Sequence, residues 1–468
     1  MPTPPINEDT ICAIATAQGG AIGTIRVSGP KAIAVTDDIF TPIAPSDTPL
    51  AQRPPYTLTF GHIKDEAGTI VDEVLIGLFR APHSYTGEDS TEISCHGSPY
   101  ILSRVTQLLI RQGCRMARPG EYTQRAFLNG KMDLSQAEAV ADLIASTSEA
   151  QHRLAMNQMR GTFSHELMRL RDQLLHLTTL MELELDFSDH EELEFADRSE
   201  LQTLASRIAT VIARLADSFY TGNAIKAGIP VAIVGETNSG KSTLLNAIVG
   251  EERAIVSDIQ GTTRDLIEDT INIQEYTFRF VDTAGIRQTT DAIEAMGIKR
   301  SYQAIQQARI VLWVVDSTQA TAQITALAPD ILPRCHDKHL IIILNKADLL
   351  SSAPLVDSKK LPEGTLLLSL SAKQGSGLEP LLNSLAEAAH LPHLGPTDVI
   401  VTNLRHYEAL THALDSIRRV QAGLSTNLSG DFISQDLREC LFHLSDIVGE
   451  VTTDEVLGNI FKRFCIGK

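Results

Sequence analysis

Short apolar runs separated by Gly and Pro turns open the chain: Ile11–Ala17, Ile22–Val27 and Val74–Phe79. Their lengths predict strands in a mixed α/β segment, 1–118. From Gly120 to Ile229 there is no proline. Apolar residues recur there at helical spacing, through Ala137, Val140, Ala141 and Ile144, then through Leu167, Leu170, Leu174 and Leu175. That pattern predicts long helices over 119–227. Thr221–Pro230 reads as a linker. From Val231 the texture changes. Buried-strand runs (Val231–Val234, Phe278–Val281, Ile310–Val315, Leu340–Leu344, Leu366–Leu370) alternate with helical segments, the rhythm of a parallel sheet over 228–388. The last segment, 389–468, opens with His390–Asp398, which carries Pro and Gly, and continues as a proline-free helical tail to Lys468. The economical organisation is an α/β plus all-α protein: an N-terminal α+β domain, then a discontinuous helical domain interrupted by an inserted α/β domain.

Composition narrows this picture. The 468 residues carry a formal charge of −18, which argues against a protein that coats nucleic acid through net charge. The six cysteines have no CxxC spacing, so reduced thiols in a cytoplasmic protein are expected rather than disulfides or zinc. Cys95 and His96 are adjacent, but no further ligand cluster accompanies them. No apolar run reaches the length of a membrane span, and no Lys or Arg precedes Arg26, so a secretory leader is not expected. Met181–Phe195 holds seven acids in fifteen residues and reads as a solvated helix face or loop. Arg111, Arg115, Arg118, Arg125 and Lys131 form a local basic excess with one acid, Glu121. It suits either RNA phosphate or an anionic small molecule.

The chemistry concentrates in one string. Gly235-Glu-Thr-Asn-Ser-Gly-Lys-Ser242 fits GxxxxGK[ST], follows an apolar strand and precedes a helical run. Glycines let backbone N–H groups curl around phosphate oxygens, and the helix N-terminus adds a positive dipole end. Lys241 would neutralise the β/γ-phosphates and the Ser242 hydroxyl would ligate magnesium. Asp282-Thr-Ala-Gly285 ends a strand; its carboxylate can reach magnesium through water, and the Gly285 N–H can sense the γ-phosphate. Asn345-Lys-Ala-Asp348 also ends a strand. Asp348 can accept from guanine N1–H and the 2-amino group, which adenine lacks, so GTP is selected over ATP. Ser371-Ala-Lys373 can support the base, and Gly261-Thr-Thr-Arg-Asp265 lies where a first switch belongs, with Thr263 as a second magnesium hydroxyl. Ile286 stands where Ras-type enzymes place a water-orienting glutamine. Arg287, Asp291 and Glu294 are the nearby candidates for that task.

These motifs, with Gly-Thr-Ile-Arg26-Val-Ser-Gly, Tyr-Thr-Gly-Glu-Asp (85–89), Ala-Arg-Pro-Gly-Glu-Tyr (117–122), Ala126-Phe-Leu-Asn-Gly-Lys131 and Phe464-Cys-Ile-Gly-Lys468, resemble the tRNA-modification GTPase family MnmE, or TrmE, over essentially the whole chain. The resemblance implies an N-terminal folate-binding and dimerisation domain, a discontinuous helical domain and an inserted P-loop G domain. It implies a homodimer that works with a partner, MnmG, which uses FAD and NADH. Together they would install an aminomethyl or carboxymethylaminomethyl group on C5 of the tRNA wobble uridine. The carbon would come from a tetrahydrofolate derivative, 5-formyl- or 5,10-methylene-tetrahydrofolate. A GTPase switch in ribosome assembly, as in Era- and Der-like proteins, is the alternative.

Carried onto matching positions, GTP would be bound by Asn238, Ser239, Gly240, Lys241, Ser242 and Thr243, by Ser257, Asp258, Ile259, Gln260, Gly261, Thr262 and Thr263, and by Asp282, Thr283, Ala284 and Gly285. Asn345, Lys346, Ala347, Asp348, Ser371, Ala372 and Lys373 would hold the base. Asn238, with the backbone around Ser257, Ile259 and Thr262, would bind potassium in place of an arginine finger. Glu294 matches the acid that orients water, and Arg264 and Arg287 match switch arginines. Arg26, Glu92, Lys131 and Lys468 match the folate pocket: a carboxylate suits the pterin's amide edge, and cations suit the glutamyl tail. Cys465, one turn from the C-terminus, reads as packing rather than a nucleophile.

Overall fold

A computed structural model describes residues 9–17, 19–43, 48–186, 198–251, 268–282, 302–350, 356, 361–362, 364–389, 398–426, 428–451, 454–462, 464 and 467. They form two compact units, one drawn from 1–141, 159–201 and 422–468, the other from 142–158 and 202–421.

In the first unit, seven strands pair in the order β3-β4-β5-β6-β2-β1-β7. They are β1 Ile11–Ile14, β2 Ile22–Ser28, β3 Phe40–Pro42, β4 Thr57–Lys64, β5 Ile70–Phe79, β6 Ser90–His96 and β7 Arg115–Met116. All neighbours are antiparallel except β1 and β7. The helix Pro99–Arg111 turns Leu102, Val105, Leu108 and Leu109 into a core with Ile25, Ile76 and Ile93. That leaves a second face on which Leu58, Phe60 and Leu75 are exposed, Leu58 at 73%. Helices Glu121–Leu128, Leu134–Ala145, Thr162–Asp186, Gly430–Val448 and Asp454–Phe461 contribute to this unit. Phe461, Phe464 and Leu457 pack on Leu134 and Ala137. Of the acidic run, Met181–Asp186 continues the helix that began at Thr162, with Met181 buried and Glu182 exposed. The remainder of that run lies outside the described residues.

The second unit holds the parallel sheet, in the order β13-β12-β11-β8-β10-β9. Its strands are β8 Ile229–Val234, β9 Glu268–Ile273, β10 Tyr276–Asp282, β11 Ile310–Asp316, β12 His339–Asn345 and β13 Leu366–Ser369. Only β9 runs antiparallel to its neighbour. The central strands are covered on both faces, which is why they read as continuous apolar runs rather than as alternation. Trp313 of β11 is fully buried and stands opposite Val234, the last residue of β8.

The linker expected at Thr221–Pro230 is corrected. A helix spans Arg198–Ala227, and β8 starts at Ile229. Gly222, within that stretch, lies inside the helix, and a Cβ there would overlap the Val401 carbonyl. It marks a close backbone approach, not a turn.

Candidate nucleotide site and the cluster around Arg26

The phosphate loop is built where three parallel strands end together. Gly235 follows β8 at φ 145°, and a Cβ there would overlap the Val314 carbonyl of β11. Asn238 takes the left-handed region at φ 64°, uncommon for a side-chain-bearing residue. Gly240 follows at φ 96°, where a Cβ would overlap Asn345 Nδ2 at the end of β12. Each glycine is therefore required by backbone sterics as well as by the ligand that the loop suits. Lys241 opens the helix Lys241–Glu251 and folds back, its Nζ donating to the Gly235 carbonyl at 2.9 Å and the Glu236 carbonyl at 2.7 Å. The ammonium is thus fixed over the loop. Ser242 and Thr243 occupy the first helical turn, where N–H groups lack intrahelical acceptors. The Ser239 hydroxyl is buried with no hydrogen-bond partner among the described residues. An orphaned hydroxyl inside a cradle that one methyl group would fill fits a bound oxyanion.

The loops that follow β12 and β13 are tied to this cradle. Asn345 Nδ2 donates to the Ser239 carbonyl at 2.9 Å, while its Oδ1 accepts from the Ala372 N–H at 3.0 Å. Lys346 adopts φ 62°, and its Nζ donates to Asp316 Oδ2 at 2.6 Å. Burial opposes ionisation of Asp316, but the bonds from Lys346 and Thr318 hold its carboxyl below the usual range. The Ala347 N–H donates to the Leu370 carbonyl, and Ser371 Oγ donates to Asp348 Oδ1 at 2.6 Å. That bond orients one carboxylate oxygen. Asp282 ends β10 opposite Ile233 of β8, so its backbone lies beside the strand that feeds the loop. Lys373 follows on an exposed turn.

The structure therefore brings together Asn238, Ser239, Gly240, Lys241, Ser242, Thr243, Asn345, Lys346, Ala347, Asp348, Ser371, Ala372 and the end of β10. Ser257, Asp258, Ile259, Gln260, Gly261, Thr262, Thr263, Arg264, Thr283, Ala284, Gly285, Ile286, Arg287, Asp291, Glu294, Cys465 and Lys468 lie outside the described residues. Among the described residues no group of three or more His, Cys, Asp or Glu side chains is arranged to hold a metal. His96 Nδ1 instead pairs with the buried Asp72 at 2.7 Å.

In the first unit, Arg26 of β2 stands directly opposite Glu92 of β6. Its Nε and Nη2 donate to Glu92 Oε1 at 3.0 and 2.8 Å. The guanidinium lies 5.4 Å from the Tyr85 ring and 5.7 Å from the Tyr122 ring. Burial pushes both phenols up, Tyr122 strongly, so both stay protonated. Lys131 Nζ donates to the Pro82 carbonyl at 2.9 Å. Gly467, beside Lys468, packs on β1: a Cβ there would lie 2.5 Å from the Ile14 carbonyl.

Beside this pair is a network that sequence reasoning missed. Arg125 is fully buried; its Nη1 and Nη2 reach Asp9, Glu88 and Glu121. Arg115 pairs with the same Asp9 and Glu121 at 2.7 and 2.5 Å. Arg111 pairs with Glu66 at 2.6 Å. Most of the basic excess is thus committed to carboxylates of the chain itself. The Arg-Pro-Gly-Glu string carried the signal. Gly120 takes φ 67°, and a Cβ there would lie 2.7 Å from the Phe461 carbonyl. Glu121 then starts a helix with its carboxylate buried among the arginines.

Comparison with known proteins agrees. A family model described as GTP-binding protein TrmE N-terminus matches residues 10–131, and one described as MnmE helical domain matches residues 134–465. The chain is 63% identical over 468 residues to the tRNA modification GTPase MnmE of Bacteroides fragilis strain YCH46, covering 99% of this chain and 100% of that one. It is 63% identical over 470 residues to the protein of the same name from Bacteroides thetaiotaomicron, with 99% and 100% covered. That of Parabacteroides distasonis is 61% identical over 460 residues, with 98% and 100% covered. The α+β N-terminal part, the discontinuous helical part and the inserted P-loop domain fit together in one assignment: the chain belongs to the MnmE family of tRNA modification GTPases.

Proposed function

We propose that this GTPase of tRNA modification is potassium-dependent and works with a flavin-dependent partner, MnmG, on C5 of the wobble uridine. The observation that carries the nucleotide half is Asn345 bonded both to the phosphate loop and to the Ala372 turn, with Asp348 oriented by Ser371. Lys241 holds the β/γ-phosphates and Asp348 reads guanine. Magnesium, held by Ser242 and Thr263, and potassium, held by Asn238 with Ser257, Ile259 and Thr262, supply positive charge where negative charge develops. Glu294 orients the attacking water in place of the glutamine that Ile286 cannot replace, and Arg287 steadies the second switch.

For the one-carbon half, Arg26, Glu92, Lys131 and Lys468 bind a tetrahydrofolate derivative. Tyr85 and Tyr122 flank Arg26. The exposed apolar face bearing Leu58, Phe60 and Leu75 suits a homodimer. Among the described residues no helix is long and apolar enough to cross a membrane, which is compatible with a cytoplasmic setting.

Two measurements test this reading. Replacing potassium by sodium cuts hydrolysis sharply if Asn238 holds the cation; equal rates overturn that part. Mass spectrometry of wobble uridines from cells lacking the protein shows loss of the C5 modification. A C5 modification that persists at its normal level, with the protein co-sedimenting with ribosomes, would favour a ribosome-assembly switch instead.

A further inference from the structure

The helix Gly430–Val448 has two unlike arcs. Ile433, Leu437, Cys440, Leu444 and Ile447 are buried on one side, and the helix packs along Thr162–Asp186. With 3.6 residues per turn, Phe432, Glu439, Phe442 and Asp446 fall outside that stripe, and Asp436 lies at its margin next to Ile447. Phe432 is 64% exposed and Phe442 54%. Amphipathic packing needs no aromatic residue there, because the apolar stripe that holds the helix is already complete. Two large rings on one exposed arc are a poorly solvated surface that a partner would cover.

Charge decides which partner. The helix carries four acids against one arginine, Arg438, which itself pairs with Glu182 at 2.9 Å. RNA phosphates would meet carboxylates and be repelled, as would an anionic lipid surface. A second copy docking about a two-fold axis would set acids against acids. A protein face with apolar pockets ringed by Lys and Arg satisfies both the rings and the carboxylates. We propose that the Phe432/Phe442 stripe is a docking surface for such a basic protein face, belonging to the flavin-dependent partner. The identity of the occupant rests on the functional reading above; the surface itself does not.

The test uses the full-length chain, purified, and the purified flavin-dependent partner, titrated by calorimetry at low and high salt. Phe432→Ser/Phe442→Ser should weaken binding by about tenfold or more, and Glu439→Lys should weaken it and flatten its salt dependence. GTP hydrolysis should stay at the wild-type rate in both, because neither substitution touches the nucleotide site. Should the double variant melt lower, Glu439→Lys at an exposed position carries the same test. Variants that bind the partner within roughly twofold of wild type overturn the docking surface and leave the partnership standing. A wild-type chain that does not bind overturns the partnership, and this occupant with it. Unchanged partner affinity with loss of dimerisation, or of tRNA retention in a gel shift, overturns the proposal by assigning the stripe to a second copy or to RNA.

Discussion

Asn345 Nδ2 donates to the Ser239 carbonyl at 2.9 Å, so the residue that begins the Asn-Lys-Ala-Asp motif also braces the loop that ends at Lys241. Asn345→Ala removes this bond and the one from Ala372. At about 1 kcal/mol each, their loss should weaken nucleotide binding by roughly thirtyfold, for GTP and GDP alike, in a titration calorimeter. A variant weakened for GTP alone would place Asn345 in sensing the γ-phosphate rather than in bracing the loop.

In the proposed function Asp348 meets the base, through a carboxylate that Ser371 holds in place. Asp348→Asn turns one acceptor oxygen into a donor. GTP affinity should fall by about tenfold to a hundredfold, and xanthosine triphosphate, whose 2-oxo group accepts, should become the preferred ligand. Competition binding with both nucleotides checks this; unchanged GTP affinity removes Asp348 from base recognition.

The β9–β10 hairpin lies between the two switch segments of the sequence and clamps the 147–153 stretch. Asn272 Nδ2 donates to the Thr147 carbonyl at 2.7 Å, the Ala150 N–H donates to the Glu275 carbonyl, and Arg153 pairs with Glu275 at 3.0 Å. Any strain in the segments flanking the hairpin therefore has a short route to this stretch, covalent as far as the hairpin and through these bonds beyond it. In wild type, amide exchange over 147–155 should differ between the GDP state and a non-hydrolysable GTP analogue. Asn272→Ala with Arg153→Ala should erase that difference while leaving nucleotide affinity within about twofold. Exchange that ignores the nucleotide in wild type would show that the clamp transmits nothing.

The buried arginine network sets a pH dependence. Burial opposes ionisation of Asp9 and Glu121, but their arginine partners hold both carboxyls below the usual range. Groups depressed in the folded state stabilise it above their unfolded value, about 4, and that contribution is lost as pH falls through the folded value. Glu88 has the opposite sign: burial raises it, so its contribution falls as pH rises through its folded value. Urea midpoints should drop below about pH 4 in wild type, and Glu121→Gln should flatten that acid limb. Arg125→Met, which takes a buried arginine from Asp9, Glu88 and Glu121 while Arg115 keeps its pairs with Asp9 and Glu121, should cost about 3–5 kcal/mol at neutral pH. An acid limb identical in wild type and Glu121→Gln would show that the network is not what acid disrupts.

Legibility followed the range of the interactions. The phosphate loop and the parallel strands could be read because both are local: glycine spacing in one, continuous apolar runs in the other. The strand β4 was not anticipated because its pattern is inverted. Leu58 and Phe60 face outward, while Gly61 faces inward under the Phe40 ring, where a Cβ would overlap. The helix through Thr221–Ala227 was not anticipated either: Gly222 within it is set by a backbone neighbour, the Val401 carbonyl, that sequence does not reveal. The arginine network joins residues 37 and 116 positions apart, beyond any spacing rule.

Trp313 is the chain's single tryptophan, and it sits beside the strand that runs into Gly235. Selective excitation of the indole therefore gives an optical readout of the nucleotide-binding unit alone, free of the tyrosines around Arg26. Emission and far-ultraviolet dichroism, followed through the same thermal melt, will separate the loss of one unit from the loss of the other without any label being attached.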